Sequence, residues 1–413
     1  MNKPLGFSSA LLAGLAISST ISAWADVQGA ASSAASQAAD NTVSEGVDDA
    51  ANAIKGLFKK KPKKPAAAAP ADAPAATSSS GAAPGGTAAP ASLKTYANYD
   101  FVPGEKVVFE DDFRADQDGE FPAHWTLESG QAIVNKVGAD PAFFLTEGNY
   151  VKVAPRIKGT PHYLPKDFTL EFDFYTDVNE DTNPGVLFTA VNADGEHSRE
   201  VFFGKEVSTA YFPKDFSAAY PGGTDGFNGR WHHAALIKKG ETFKMYEDQF
   251  RVLVVPNCED CNLVSLNVGG IGSPTAPIVF RNFRVAEGGN ANVIGQKFTD
   301  AKLVTHGIRF DVDQATIRPE SMGTLNMIAG ILKNNPDLKF EVDGHTDNSG
   351  GAAHNLDLSQ KRAEAVKAQL VSMGIDGARL NTRGLGDTRP LGSNDTPEGK
   401  ANNRRVEFVK LAS

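Results

Sequence analysis

The chain has 413 residues, of which 22% are charged, with a formal net charge of -9. That length accommodates more than one domain plus spacers. The acidic balance excludes a general nucleic-acid binder, which needs clustered Lys and Arg to neutralise phosphates.

Residues 1–25 begin with Lys3, continue through the apolar run "ALLAGLAI" and close on "AWA" before Asp26. This has the form of an export signal, with cleavage expected after Ala25. Later stretches are too short or too polar for a transmembrane helix. The first cysteine is Cys258, so a lipid-accepting N-terminal cysteine is not expected. From 26 to 97 Ala, Ser, Pro and Gly dominate, a composition that cannot bury enough apolar surface to fold, and a disordered linker is expected. Within it, Val43, Val47, Ala50, Ile54 and Leu57 recur at helical spacing over 42–60 and precede a lysine run. A weakly helical linker is the expectation, and docking on an anionic surface is the alternative. The stretch from Pro65 to Leu93 would reach about 90 Å if polyproline-like and about 30 Å as a coil, a tether in either case.

Residues 98–287 alternate apolar and polar positions in short runs bounded by Gly, Pro, Asn and Asp, which predicts an all-β antiparallel sandwich. In "DFTLEFDFYTDV", Leu170, Phe172 and Phe174 face one way, and Glu171, Asp173 and Tyr175 the other. The phrases "FEDDF", "GEFPAHW", "LPKDFTLEFDFY" and "IVFRNFRVAE" resemble concanavalin-like jelly-roll domains. That resemblance implies a glycan- or protein-binding sandwich, and it raises an enzyme as the alternative. Glycoside hydrolysis needs two facing carboxylates, and Glu171 and Asp173 are the candidates, but Tyr175 stands where a third would be. A solvated polar strand face is the plainer expectation. An eight-stranded membrane barrel is also compatible with alternation alone.

Asp177, Asn179, Asp181 and Asn183 form an Asx-rich turn by expectation, with a calcium loop as the alternative. His232 and His233 are neighbours on a strand and point to opposite faces, so no metal site is expected there. Trp125 and Trp231 are expected in the core. In an exported chain the pair Cys258 and Cys261, in "CEDC", is expected to form a disulfide.

From 302 to 413 strands alternate with helices. "KLVTHGIRFDV" predicts a strand, and Pro319 opens a helix with Met322, Leu325, Ile328 and Leu332 on one face. "LKFEVDGHT" predicts a second strand. A helix is expected over Ser359–Met373, buried through Ala363, Val366 and Leu370, and "LNTRGLG" and "RRVEFVKL" complete an α/β sandwich. The motifs "IRFDVDQATIRPES", "GHTDNSGGAAHNLDLSQKRAEAV", "RLNTRGLGDTRP" and "NDTPEGKANNRRVEF", in that order, resemble the OmpA-like peptidoglycan-binding domain.

That resemblance implies non-catalytic, non-covalent binding of diaminopimelate in the peptidoglycan stem peptide, through Asp347 and Arg362. The free end of diaminopimelate carries an ammonium and a carboxylate on one carbon, which an aspartate and a forked arginine would grip together. Phe310, Asp311, Thr346, Asn355 and Arg405 are further contacts that the resemblance implies. His345 is expected to be a strand-end residue and not a base. The expectation is a cofactor-free protein of the Gram-negative periplasm, associated with wall and outer membrane. It would reach an outer-membrane component or a glycan through its sandwich, with homo-oligomers as a further possibility. The alternatives are a wall-anchored sugar-active enzyme and a spacer between wall and membrane protein.

Overall fold

Alternating side chains carry the fold from Lys106 to Glu287. The computed structural model describes residues 93–157, 161–176, 185–223, 225, 227–271, 275–289 and 300–411. The leader, the 42–60 segment, the tether before Leu93 and the Asp177 to Asn183 run lie outside these residues.

Among the described residues, thirteen strands form one hydrogen-bonded sheet. They are β1 (Lys106–Asp111), β2 (Trp125–Val137), β3 (Asp140–Pro155), β4 (Phe168–Thr176), β5 (Val186–Asn192), β6 (Ser198–Phe203), β7 (Glu206–Ala210), β8 (Ser217–Ala219), β9 (Arg230–Lys239), β10 (Thr242–Glu247), β11 (Phe250–Val255), β12 (Leu263–Gly270) and β13 (Ile278–Glu287). The path runs β11-β10-β9-β4-β13-β3-β12-β5-β6-β7-β8, with β1 added to β13 and β2 to β3. Because β13 and β3 each pair with three neighbours, the sheet branches and encloses one apolar core. Trp125, Phe143, Phe172, Phe280 and Phe283 lie in that core, and each is fully buried. An apolar interior is the reverse of a membrane barrel, whose apolar side chains face lipid. Trp125 is a core residue as expected, and its indole N–H donates to Asp111 at 3.1 Å. Trp231 is only half-buried, with the Arg281 guanidinium 3.9 Å above its ring. Cys258 and Cys261, in the β11–β12 connection, have Cα atoms 5.6 Å apart, a separation that a disulfide spans.

The C-terminal domain contains β14 (Lys302–Thr305), α1 (Met322–Asn334), β15 (Phe340–His345), α2 (Ala352–Ser372), β16 (Leu380–Gly386), α3 (Pro397–Asn403) and β17 (Val406–Lys410). Its sheet order is β14-β17-β15-β16, with β15 and β16 parallel and the other pairs antiparallel. The first strand is shorter than the motif predicts: it ends at Thr305, and "GIRFDV" becomes a loop held by the Phe310–Ile317 bridge. α2 begins at Ala352 and not at Ser359, which places Asn355 inside the helix. α3 was not expected, although its signals are local: Thr396 accepts from Gly399 N at 3.0 Å as a cap, and Pro397 occupies the first turn.

The two halves share material. The buried face of α1, through Leu325, Ile328 and Leu332, belongs to one apolar cluster with Tyr99, Phe101, Ala235, Ile237 and Tyr246. The chain at Phe101 runs so close to α1 that a Cβ at Gly323 would strike the Phe101 carbonyl. Opposite faces of β4 therefore meet different partners. Leu170, Phe172 and Phe174 enter the β-rich core, while Glu171 and Asp173 are 2% and 3% exposed. The expected solvated strand face does not exist: Glu171 lies 3.6 Å from Arg309, and Asp173 lies 3.4 Å from Arg318, both arginines of the C-terminal half.

Candidate ligand-binding site

Two close approaches shape the site. α2 crosses the ends of β15 and β16 where Gly344 and Gly384 stand, and a Cβ at either would run into the helix backbone at Ser359 or Gln360. The chain leaving β15 is thereby held under the first turns of α2. A cleft of about 750 Å³ opens beside it, lined by Phe310, Thr346, Asp347, Asn355, Arg362, Arg404 and Arg405, among others.

Asp347 sits just after β15 and is 8% exposed. Its Oδ1 accepts from Ser349 N at 2.8 Å, and its Oδ2 accepts from Arg404 Nη1 at 2.5 Å. Burial pushes its pKa up, but the Arg404 and Ser349 hydrogen bonds outweigh that and hold the carboxyl below its ordinary range. It is ionised at neutral pH. Arg362 projects from α2 over the Phe310 ring, 4.9 Å from the ring centroid. Its Nε donates to the Gln314 carbonyl at 2.9 Å and its Nη2 to the Asp311 carbonyl at 3.4 Å. These bonds aim the guanidinium, and among the described residues it has no carboxylate ion pair. Asp347 and Arg362 thus face one cleft with opposite charge and do not pair with each other.

The other expected contacts divide. Asn355 is buried, and its Nδ2 donates to the Asp347 carbonyl at 3.2 Å, which fixes the loop. Asp311 contributes its carbonyl to Arg362, while its own side chain is exposed. Thr346 Oγ1 and both His345 ring nitrogens are buried without a hydrogen bond among the described residues. His345 is held at about 4 by burial, with Arg405 adding to the effect, so it is neutral at pH 7. Arg405 points into the fold, where Nε donates to Glu407 at 2.7 Å and Nη2 to the Arg389 carbonyl at 3.0 Å. Its neighbour Arg404 reaches Asp347 instead. Extended residues alternate sides, so "NNRRVEF" signalled that one of its arginines would face the loop, but not which.

With the geometry in place, comparison with known proteins adds a family. Residues 309–404 match the OmpA family. The chain therefore carries a C-terminal OmpA family domain. Over 104 residues it is 44% identical to "Probable lipoprotein YiaD" of Escherichia coli, covering 25% of this chain and 48% of that protein. Over 107 residues it is 45% identical to "Peptidoglycan-binding protein ArfA" of Mycobacterium tuberculosis, covering 26% of this chain and 33% of that protein. The chain thus spans about half or less of the length of these curated relatives. A solved structure of the peptidoglycan-associated lipoprotein from Burkholderia pseudomallei is matched at 28% identity and a TM-score of 0.25, covering 29% of this chain and 98% of that one. The β-rich domain lies outside residues 309–404.

Proposed function

We propose that this chain is a peptidoglycan-binding protein of the bacterial envelope, held at the wall by its OmpA family domain. The observation that carries the reading is that Asp347 and Arg362 line one cleft without pairing with each other, Asp347 being held on one oxygen by Arg404. A relative named for peptidoglycan binding, at 45% identity over this region, supports it. In the finer reading, Asp347 accepts from the diaminopimelate ammonium and Arg362 grips its carboxylate. Each charged hydrogen bond nets roughly 1.5–3 kcal/mol. Two or three of them give a dissociation constant on the order of millimolar to tens of micromolar. Retention on a polymeric wall then comes from effective concentration, which homo-oligomers would raise.

Export to a periplasm beside an outer membrane belongs to the same proposal, as does a jelly-roll identity for the β-rich domain. The enzyme alternative gains nothing from Glu171 and Asp173, which lie buried among arginines where a sugar ring cannot reach. The test is sedimentation with purified diaminopimelate-type peptidoglycan. Wild type should pellet, and folded Asp347→Ala and Arg362→Ala should stay in solution. If all three behave alike, the proposal fails.

A further inference from the structure

The cleft has two owners. Most of its lining comes from the C-terminal domain, but Glu110, Asp112 and Arg284 bring the β-rich domain to one side. A reciprocal pair fixes β1 there. Val107 N donates to Asn402 Oδ1 at 2.9 Å, and Asn402 Nδ2 donates back to the Val107 carbonyl at 2.9 Å. Further along β1, Phe109 enters the core, and alternation turns Glu110 outward to the C-terminal domain. Arg404 donates from Nη2 to Glu110 and from Nη1 to Asp347. The second Glu110 oxygen lies 3.5 Å from Arg284 Nε. One guanidinium thus bridges two carboxylates, one from each domain.

We propose that Glu110 is a positioning residue of the ligand site: by holding one arm of Arg404, it keeps Asp347 only partly neutralised and open to a ligand ammonium. The inference rests on the peptidoglycan reading and deepens it, because it gives the β-rich domain a part in selecting a cationic ligand group. The charge count supports it. The cleft lining already carries seven arginines against four carboxylates, and Gln at 110 removes one of those four, which adds one net positive charge. An ammonium approaching Asp347 would meet that charge in a half-buried cleft, where charges interact several-fold more strongly than in water. Arg404, released from Glu110, could also turn both arms onto Asp347, and bidentate pairing is the stronger arrangement. Both effects weaken ammonium capture. Neither weakens the carboxylate grip of Arg362, which the added positive charge favours.

Glu110 also ties the two halves together, so the experiment must separate the two roles. The full chain is titrated calorimetrically with a soluble diaminopimelate stem peptide, and with the same peptide acetylated on the free diaminopimelate amine. For Glu110→Gln the expectation is about five- to tenfold weaker binding of the free-amine peptide, with the acetylated peptide bound no more weakly than by wild type. Glu110→Asp should recover most of the loss. The inference is overturned if Glu110→Gln binds the free-amine peptide as wild type does, if it loses both peptides equally, if Glu110→Asp is no better, or if circular dichroism shows Glu110→Gln unfolded. Wild type that binds neither peptide defeats the parent reading, whereas wild-type binding with an indifferent Glu110→Gln defeats only this one.

Discussion

Two places in this molecule set carboxylates on or just after a strand opposite arginines, and they end differently. On β4, Glu171 and Asp173 are sealed: Asp173 accepts from Asn282 at 2.6 Å, meets His233 at 2.9 Å, and has Arg281 and Arg318 within 3.5 Å. After β15, Asp347 has Arg404 on one oxygen, yet the cleft stays open in front of it. Residue type does not distinguish the two. What packs over the carboxylate does: the loop before α1 closes over β4 through Arg309 and Arg318, while past the end of β15, beyond the glycine contacts with α2, a cleft remains in front of Asp347. A carboxylate becomes a clamp or a ligand site according to the neighbour that the fold supplies.

The comparison breaks first at Asp173. If it is a sealed clamp, Asp173→Ala leaves His233, Arg281 and Arg318 without a shared acceptor, and about 3–5 kcal/mol of stability should be lost in urea denaturation. A change within about 0.5 kcal/mol would mark a solvated group and dissolve the contrast. A smaller effect should follow pH. Burial raises Glu110, but Arg404, Arg284 and Arg309 outweigh it and bring it to about 2 from an ordinary 4.5. Asp173 is likewise held below its ordinary range, with Arg318 and His233 outweighing burial. Depressed carboxylates contribute stability above their unfolded pKa and lose it as pH falls through the folded one. The urea midpoint should therefore drop between pH 4.5 and 2, with about 2 kcal/mol attributable to Glu110, and Glu110→Gln should flatten that limb.

The C-terminal domain was legible because its signals are local. Strand, helix start and loop motifs fall in chain order, and α1 and β15 formed as the apolar spacing implied. The candidate pair was legible through resemblance, and its place in one cleft required the fold. The seam was not legible. Nothing in "LEFDFY" tells a solvated acid from one that meets an arginine more than a hundred residues later, since alternation reports which face a side chain takes but not what covers it. Glu110 was missed for the same reason, since its direction follows from strand alternation while its partner Arg404 comes from the other domain, and Arg404 was missed because it follows a helix that was not expected. The early start of α2 was missed because "GGAAHNLDL" offers glycines and no capping side chain, and Gly351 indeed caps without one.

The most direct test of the account compares two soluble stem peptides by calorimetry, one with diaminopimelate and one with lysine, which keeps the ammonium but lacks the side-chain carboxylate. Wild type should prefer the diaminopimelate peptide by about 10- to 100-fold, the value of a charged hydrogen-bond pair. Arg362→Ala should erase that preference while leaving lysine-peptide binding unchanged. If wild type does not distinguish the two peptides, or if Arg362→Ala weakens both equally, Arg362 does not read the carboxylate and the account of the cleft is wrong.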